Sequence, residues 1–164
     1  MKQIVNHSFD AYSQPNSRVL ILGSIPSVKS RELGFYYMHP KNRFWSVISK
    51  VFDEEYPESI DDKKEFLKRN KIALWDVIAS CEIKNSSDNS ISNVVSNDIE
   101  ELVLKTNIKN IYVTGKKALE LYQKYVLPYT KIEAIYLPST SPANAVLKEE
   151  DLIEKYQIIR SVVG

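Results

Sequence analysis

Three short apolar runs punctuate the chain, residues 19–22 (Val-Leu-Ile-Leu), 72–75 (Ile-Ala-Leu-Trp) and 111–113 (Ile-Tyr-Val), and 132–137, apolar but for Glu133, reads as a fourth strand, with room for helices between them. A run apolar at successive positions reads as a strand covered on both faces. Between these strands the spacing turns helical. Phe44, Trp45, Val47, Ile48 and Val51 predict a helix over 42–52, and Phe66 and Leu67 mark a charged amphipathic helix over 60–70 that stops at Asn70. Further helices are expected over 98–105, over 116–125 after Gly115, and over 149–162. Residues 1–17 read as an irregular lead-in, 53–59 as a loop, and the Ser- and Asn-rich 83–93 as a polar loop. Alternating strands and helices predict an α/β protein: a three-layer α/β/α sandwich around a central, mainly parallel four-stranded sheet. No linker or repeat divides it, so 1–164 is expected to be one domain.

Composition narrows the class more than it names a function. At 164 residues, 43% hydrophobic and 26% charged, the chain can bury a real core and is not of the disordered type. Its single cysteine, Cys81, excludes an internal disulfide and any all-cysteine iron–sulfur cluster. No apolar run approaches membrane-spanning length and no basic-then-apolar segment opens the chain, so a cytoplasmic protein without membrane contact is expected. The two histidines, His7 and His39, have no metal-ligand spacing, and neither a metal nor a cofactor is expected. A net charge of +1 argues against avid nonspecific binding to DNA but allows a local basic patch.

The chemistry concentrates after the first strand. Ligand groups in parallel sheets gather beyond the carboxyl ends of the strands, which makes Gly23-Ser24-Ile25-Pro26-Ser27 a loop in the right place. Behind it stand the aromatics Phe35, Tyr36 and Tyr37, a His39-Pro40 turn, and the cations Lys29, Arg31, Lys41 and Arg43. Aromatics beside cations are what proteins use to stack a base and hold its phosphates. An ordinary loop, its aromatics in the core and its charges in water, would read the same way.

The segment also resembles a family. Gly-x-x-Pro after the first strand is similar to the first motif of the uracil-DNA glycosylase superfamily, and residues 34–45 (Gly-Phe-Tyr-Tyr-Met-His-Pro-Lys-Asn-Arg-Phe-Trp) resemble a block of its mismatch-specific branch. Residues 139–144 (Ser-Thr-Ser-Pro-Ala-Asn) resemble its second motif. The whole is most similar to the hypoxanthine-DNA glycosylase branch, from about His7 to the last helix. In that branch the first motif lacks its acidic or amide residue, and the Asn of the His-Pro-x-Asn-Arg-Phe-Trp block is the functional candidate.

That resemblance implies roles. Asn42 becomes the water-positioning residue, its amide able both to accept and to donate; on residue type alone it is a helix cap. Ile25 stands where better-known branches carry Asp or Asn, so only its N–H, with Gly23 and Ser24, is left to steady the departing base. Tyr37 aligns with the aromatic on which the flipped base stacks, though it is one of 10 tyrosines. Phe44 and Trp45 read as core. Asp76 lies where relatives read the Watson–Crick edge: a carboxylate would accept from hypoxanthine N1–H and repel adenine. Its bland alternative is a cap on a following helix. Ser139 replaces the His of several relatives. Ser141 and Pro142 suit a phosphate, and Ala143 and Asn144 lie where relatives insert a larger wedge. Ser27, His39 and Lys116 are further DNA-contact candidates, with packing or a solvated helix face as their alternatives; Ser87 and Asp88 are weaker ones.

The expected partner is therefore deoxyinosine-containing DNA, the expected enzyme a monomeric, monofunctional glycosylase. A uracil or mismatched-thymine glycosylase is the neighbouring alternative, disfavoured by Ile25. A catalytically silent nucleic-acid-binding module would keep the fold with Asn42 as a cap only. A flavodoxin-like nucleotide binder ranks last, since the chain lacks a P-loop and Gly-x-Gly-x-x-Gly.

Overall fold

The computed structural model describes residues 3–7, 9–83 and 91–163. Its centre is β2 (Val19–Gly23), every residue of which is buried. β3 (Ile72–Asp76) lies parallel on one side of it and β6 (Asn110–Thr114) on the other, and β7 (Ala134–Leu137) extends the sheet parallel to β6. The order β3-β2-β6-β7 is the expected four-stranded parallel sheet. Alternation along β2 divides the core in two. Val19 and Ile21 join one cluster with Trp45 and Ile48 of α2 (Phe44–Val51), Phe66 of α3 (Ile60–Arg69) and Tyr156 of α7 (Glu149–Val163). Leu20 and Leu22 join the other, with Leu102 of α4 (Ile99–Leu104) and Leu121 of α5 (Lys116–Tyr125). Helices on both faces explain why these strands read as continuous apolar runs.

The sequence reading missed a second sheet. β1 (Gln3–Asn6) falls in the expected irregular lead-in and pairs antiparallel with β4 (Ile78–Ile83), which pairs with β5 (Ile91–Ser96). The polar loop expected over 83–93 is thus strand from Ile91; Ser87 and Asp88 lie outside the described residues. β4 and β5 are half-buried, so their polar face conceals the strand pattern. Two short helices were also missed: α1 (Val28–Leu33), inside the presumed loop, and α6 (Leu127–Thr130). α2 begins at Phe44, two residues later than its spacing predicts.

Register places the site. Gly23 is opposite Asp76 in the β2–β3 ladder, and Thr114 is opposite Leu137 in β6–β7. The four strand ends therefore finish at one edge, and the chain leaving each of them meets the others there.

Candidate active site

A cleft of about 880 Å³ opens at that edge, and fourteen of the candidates line it: Gly23, Ser24, Ile25, Ser27, Tyr37, His39, Asn42, Asp76, Lys116, Ser139, Ser141, Pro142, Ala143 and Asn144. Sequence reasoning passed over Thr114, Thr140 and Tyr136, which line it as well.

The floor is built by Gly23 and Asp76. A Cβ on Gly23 would sit 2.6 Å from Asp76 Oδ1, so the carboxylate occupies the space a side chain would need. Asp76 is buried, and its Oδ2 lies 2.8 Å from His7 Nε2, itself buried. Among the described residues Oδ1 has no hydrogen-bond partner. No helix follows Asp76: β4 does, so the helix-cap alternative is ruled out. The Val77 and Ile78 N–H groups donate to the Gly23 and Ser24 carbonyls. In trans peptides this turns the next N–H groups, of Ser24 and Ile25, the opposite way. The Ile25 side chain packs on the second core cluster.

One wall is aromatic. Tyr37 stacks on Phe44 with centroids 3.9 Å apart and planes at 13°. Its φ of 56° is uncommon for a bulky residue, a backbone held by its surroundings. The turn is fixed by Ser30, whose Oγ accepts from Met38 N–H at 2.9 Å. The Tyr37 hydroxyl is buried beside Thr114 and has no hydrogen bond of good geometry among the described residues. Burial first, and then the Asp76 charge, push the phenol far above its ordinary range, so it stays neutral.

Asn42 is fully engaged on one side. Its Oδ1 accepts from Phe44 N–H and from the Thr140 hydroxyl, each at 2.8 Å. An N–H must face an oxygen, so the amide orientation is settled, and both lone pairs are in use. The N-cap of α2 is Arg43, which has no side-chain cap bond, so Asn42 braces the turn ahead of the helix rather than capping it. The two-way amide expected from sequence is reduced to a donor: Nδ2 is what remains for the cleft.

The second-motif loop is braced rather than free. Arg43, expected as a phosphate cation, donates its guanidinium instead to Leu147 O at 2.7 Å and Asn144 O at 2.8 Å, and its N–H to Thr140 O. Asn144 Nδ2 turns inward to Ser139 O at 2.9 Å. Ser139 and Ser141 hydroxyls accept from the N–H groups of Ser141 and Ala143 and keep their own hydrogens to donate. Pro142 and Ala143 are exposed at the rim. Ser27 caps α1, accepting from Ser30 N–H, and His39 Nδ1 accepts from Lys41 N–H. Opposite, α5 starts at Lys116 after Gly115, with no side chain capping it. Among the described residues no three His, Cys, Asp or Glu side chains gather as a metal site would require.

The chain has known relatives. The chain is 34% identical to a protein of Methanosarcina acetivorans named hypoxanthine DNA glycosylase, over 86% of this chain and 89% of that one. It is 34% identical to one of the same name from Methanosarcina barkeri, over 79% and 82%. The solution NMR structure of a candidate uracil DNA glycosylase from M. acetivorans superposes with a TM-score of 0.80 at 31% identity, covering 96% of this chain and 99% of the other. The family model of the uracil DNA glycosylase superfamily matches residues 9–159, and the chain belongs to that superfamily.

Proposed function

We propose that the protein is a monofunctional glycosylase that releases hypoxanthine from deoxyinosine in DNA. The observation that carries this reading is the unpaired Oδ1 of Asp76 at the floor of the cleft, held beside Gly23. A carboxylate oxygen accepts and cannot donate. It fits the N1–H of hypoxanthine and repels the N1 lone pair of adenine. The base stacks on Tyr37, which Phe44 backs, worth about 1–3 kcal/mol for such a contact.

The glycosidic bond breaks with its electrons passing to the base. The Ser24 and Ile25 N–H groups donate to the anion as it forms. Asn42 Nδ2 donates to the oxygen of a water beneath the sugar, and that oxygen bonds to the anomeric carbon of the oxocarbenium. The water proton leaves to the departing base or to solvent. Ser139, Ser141 and the first turn of α5 with Lys116 hold flanking phosphates. All these groups come from one chain, which suits a monomer.

The name shared by the two Methanosarcina relatives supports the same substrate. The test is base release from matched oligonucleotides bearing one deoxyinosine, uracil, xanthine or mismatched thymine. Hypoxanthine is expected as the main product; uracil or thymine as the main product would overturn the reading of Asp76 and Ile25.

A further inference from the structure

Among the described residues, the one side chain that bonds the Asp76 carboxylate comes from near the start of the chain. His7 follows β1, and its N–H bonds to Ala79 O at 2.7 Å, which ties its backbone to β4. Its ring packs between Phe9, with centroids 4.6 Å apart, and Tyr36, at 6.0 Å. Nε2 reaches Asp76 Oδ2 at 2.8 Å, whereas Nδ1 is buried without a partner among the described residues. Two strands and two aromatics thus aim one nitrogen at one oxygen of a carboxylate lining the cleft.

We infer that His7 is a positioning residue for base selection: its Nε2–H holds Oδ2 so that Oδ1 faces the cleft as an acceptor. This rests on the proposed reading of Asp76. A carboxylate bonded through one oxygen cannot rotate freely, and rotation would carry Oδ1 out of line with the edge of the base. A side chain that matches N–H groups by a fixed acceptor discriminates strongly, because a base without the hydrogen leaves the buried oxygen unpaired. His7 makes this discrimination without touching the base.

The test compares single-turnover release from oligonucleotides containing deoxyinosine or 2′-deoxynebularine, whose purine lacks the N1–H. His7→Phe keeps a ring against Phe9 and Tyr36 but removes the donor; His7→Gln supplies a donor again. Wild type is expected to favour deoxyinosine strongly. His7→Phe should lower that preference by about tenfold or more, chiefly through slower hypoxanthine release, with nebularine release little changed. His7→Gln should recover most of it. A merely structural role would slow both substrates together, and that result, or an unchanged ratio, would overturn the inference while leaving the glycosylase reading intact. A wild type that releases hypoxanthine no faster than purine would overturn both.

Discussion

Thr140 Oγ1 lies 2.8 Å from Asn42 Oδ1, joining two segments 98 residues apart. With the Phe44 N–H on the same oxygen, it turns the Asn42 amide so that only hydrogens remain for the cleft. Asn42→Asp keeps an oxygen for both donors but has no Nδ2. It should fold as stably as wild type yet lose on the order of 10²–10³ in rate, as single-donor losses at preorganised sites do. Asn42→Ala should lose as much rate and also about 1 kcal/mol of stability, because the Phe44 N–H and the Thr140 hydroxyl lose their acceptor. Single-turnover rates and denaturant midpoints on the pair separate the two roles; an active Asn42→Asp would leave Asn42 the bracing of the turn alone.

Gly23 is required by its neighbour. An alanine Cβ would stand 2.6 Å from Asp76 Oδ1, so either the strand end or the carboxylate must move. Gly23→Ala should cost about 1–3 kcal/mol, in the range of overpacked sites, and slow hypoxanthine release more than it weakens DNA binding. Unchanged release would mean that Asp76 is not held where the base needs it.

Salt dependence distinguishes the cations. Arg43 bonds main-chain carbonyls, whereas Lys116 opens α5 at the cleft. Lys116→Ala should flatten the plot of log affinity against log salt by about one unit of slope, the signature of one lost phosphate contact. Arg43→Lys, which loses the two-pronged fork, should weaken duplex binding through the loop while leaving that slope unchanged. The reverse pattern would make Arg43 the phosphate ligand.

Two pH profiles should differ in kind. Hydrogen bonds from Lys50, chiefly, and from Ser46 hold the Glu149 carboxyl below its ordinary 4.5, and together they tie α2 to α7. The unfolded chain therefore takes up this proton first. The stabilisation is complete above about pH 4.5 and disappears as the pH falls through the lower folded value. Melting temperature should drop below pH 4.5, less steeply in Glu149→Gln. Catalysis, by contrast, should run flat through neutral pH, since an amide does not titrate and Tyr37 stays neutral. A bell or a step in the rate profile across neutral pH would contradict a water held by an amide.

The parallel sheet was legible because β2, β3 and β6 are buried on both faces, and burial writes itself as an apolar run. β1, β4 and β5 were not, because a half-buried antiparallel pair mixes polar and apolar positions, as in Ile78-Ala79-Ser80-Cys81-Glu82-Ile83. Most of the cleft residues were found through three short blocks, Asp76 through its place at a strand end and Lys116 through its place at a helix start, and register brought them to one edge. What the motifs could not tell was which atoms were already spent. Arg43 looked like a phosphate ligand and is a brace; Asn144 looked free and is bonded inward; Asn42 looked two-sided and is a donor. His7, 69 positions from Asp76, carries no local signal, since its partner is set by the pairing of β1 with β4.

The most direct measurement is single-turnover release of free base from a duplex containing one deoxyinosine, with wild type and Asn42→Ala side by side. Hypoxanthine released by wild type, and slowed on the order of 10²–10³ in a folded Asn42→Ala, is the result predicted here. No release by wild type, or equal release by both proteins, would contradict it.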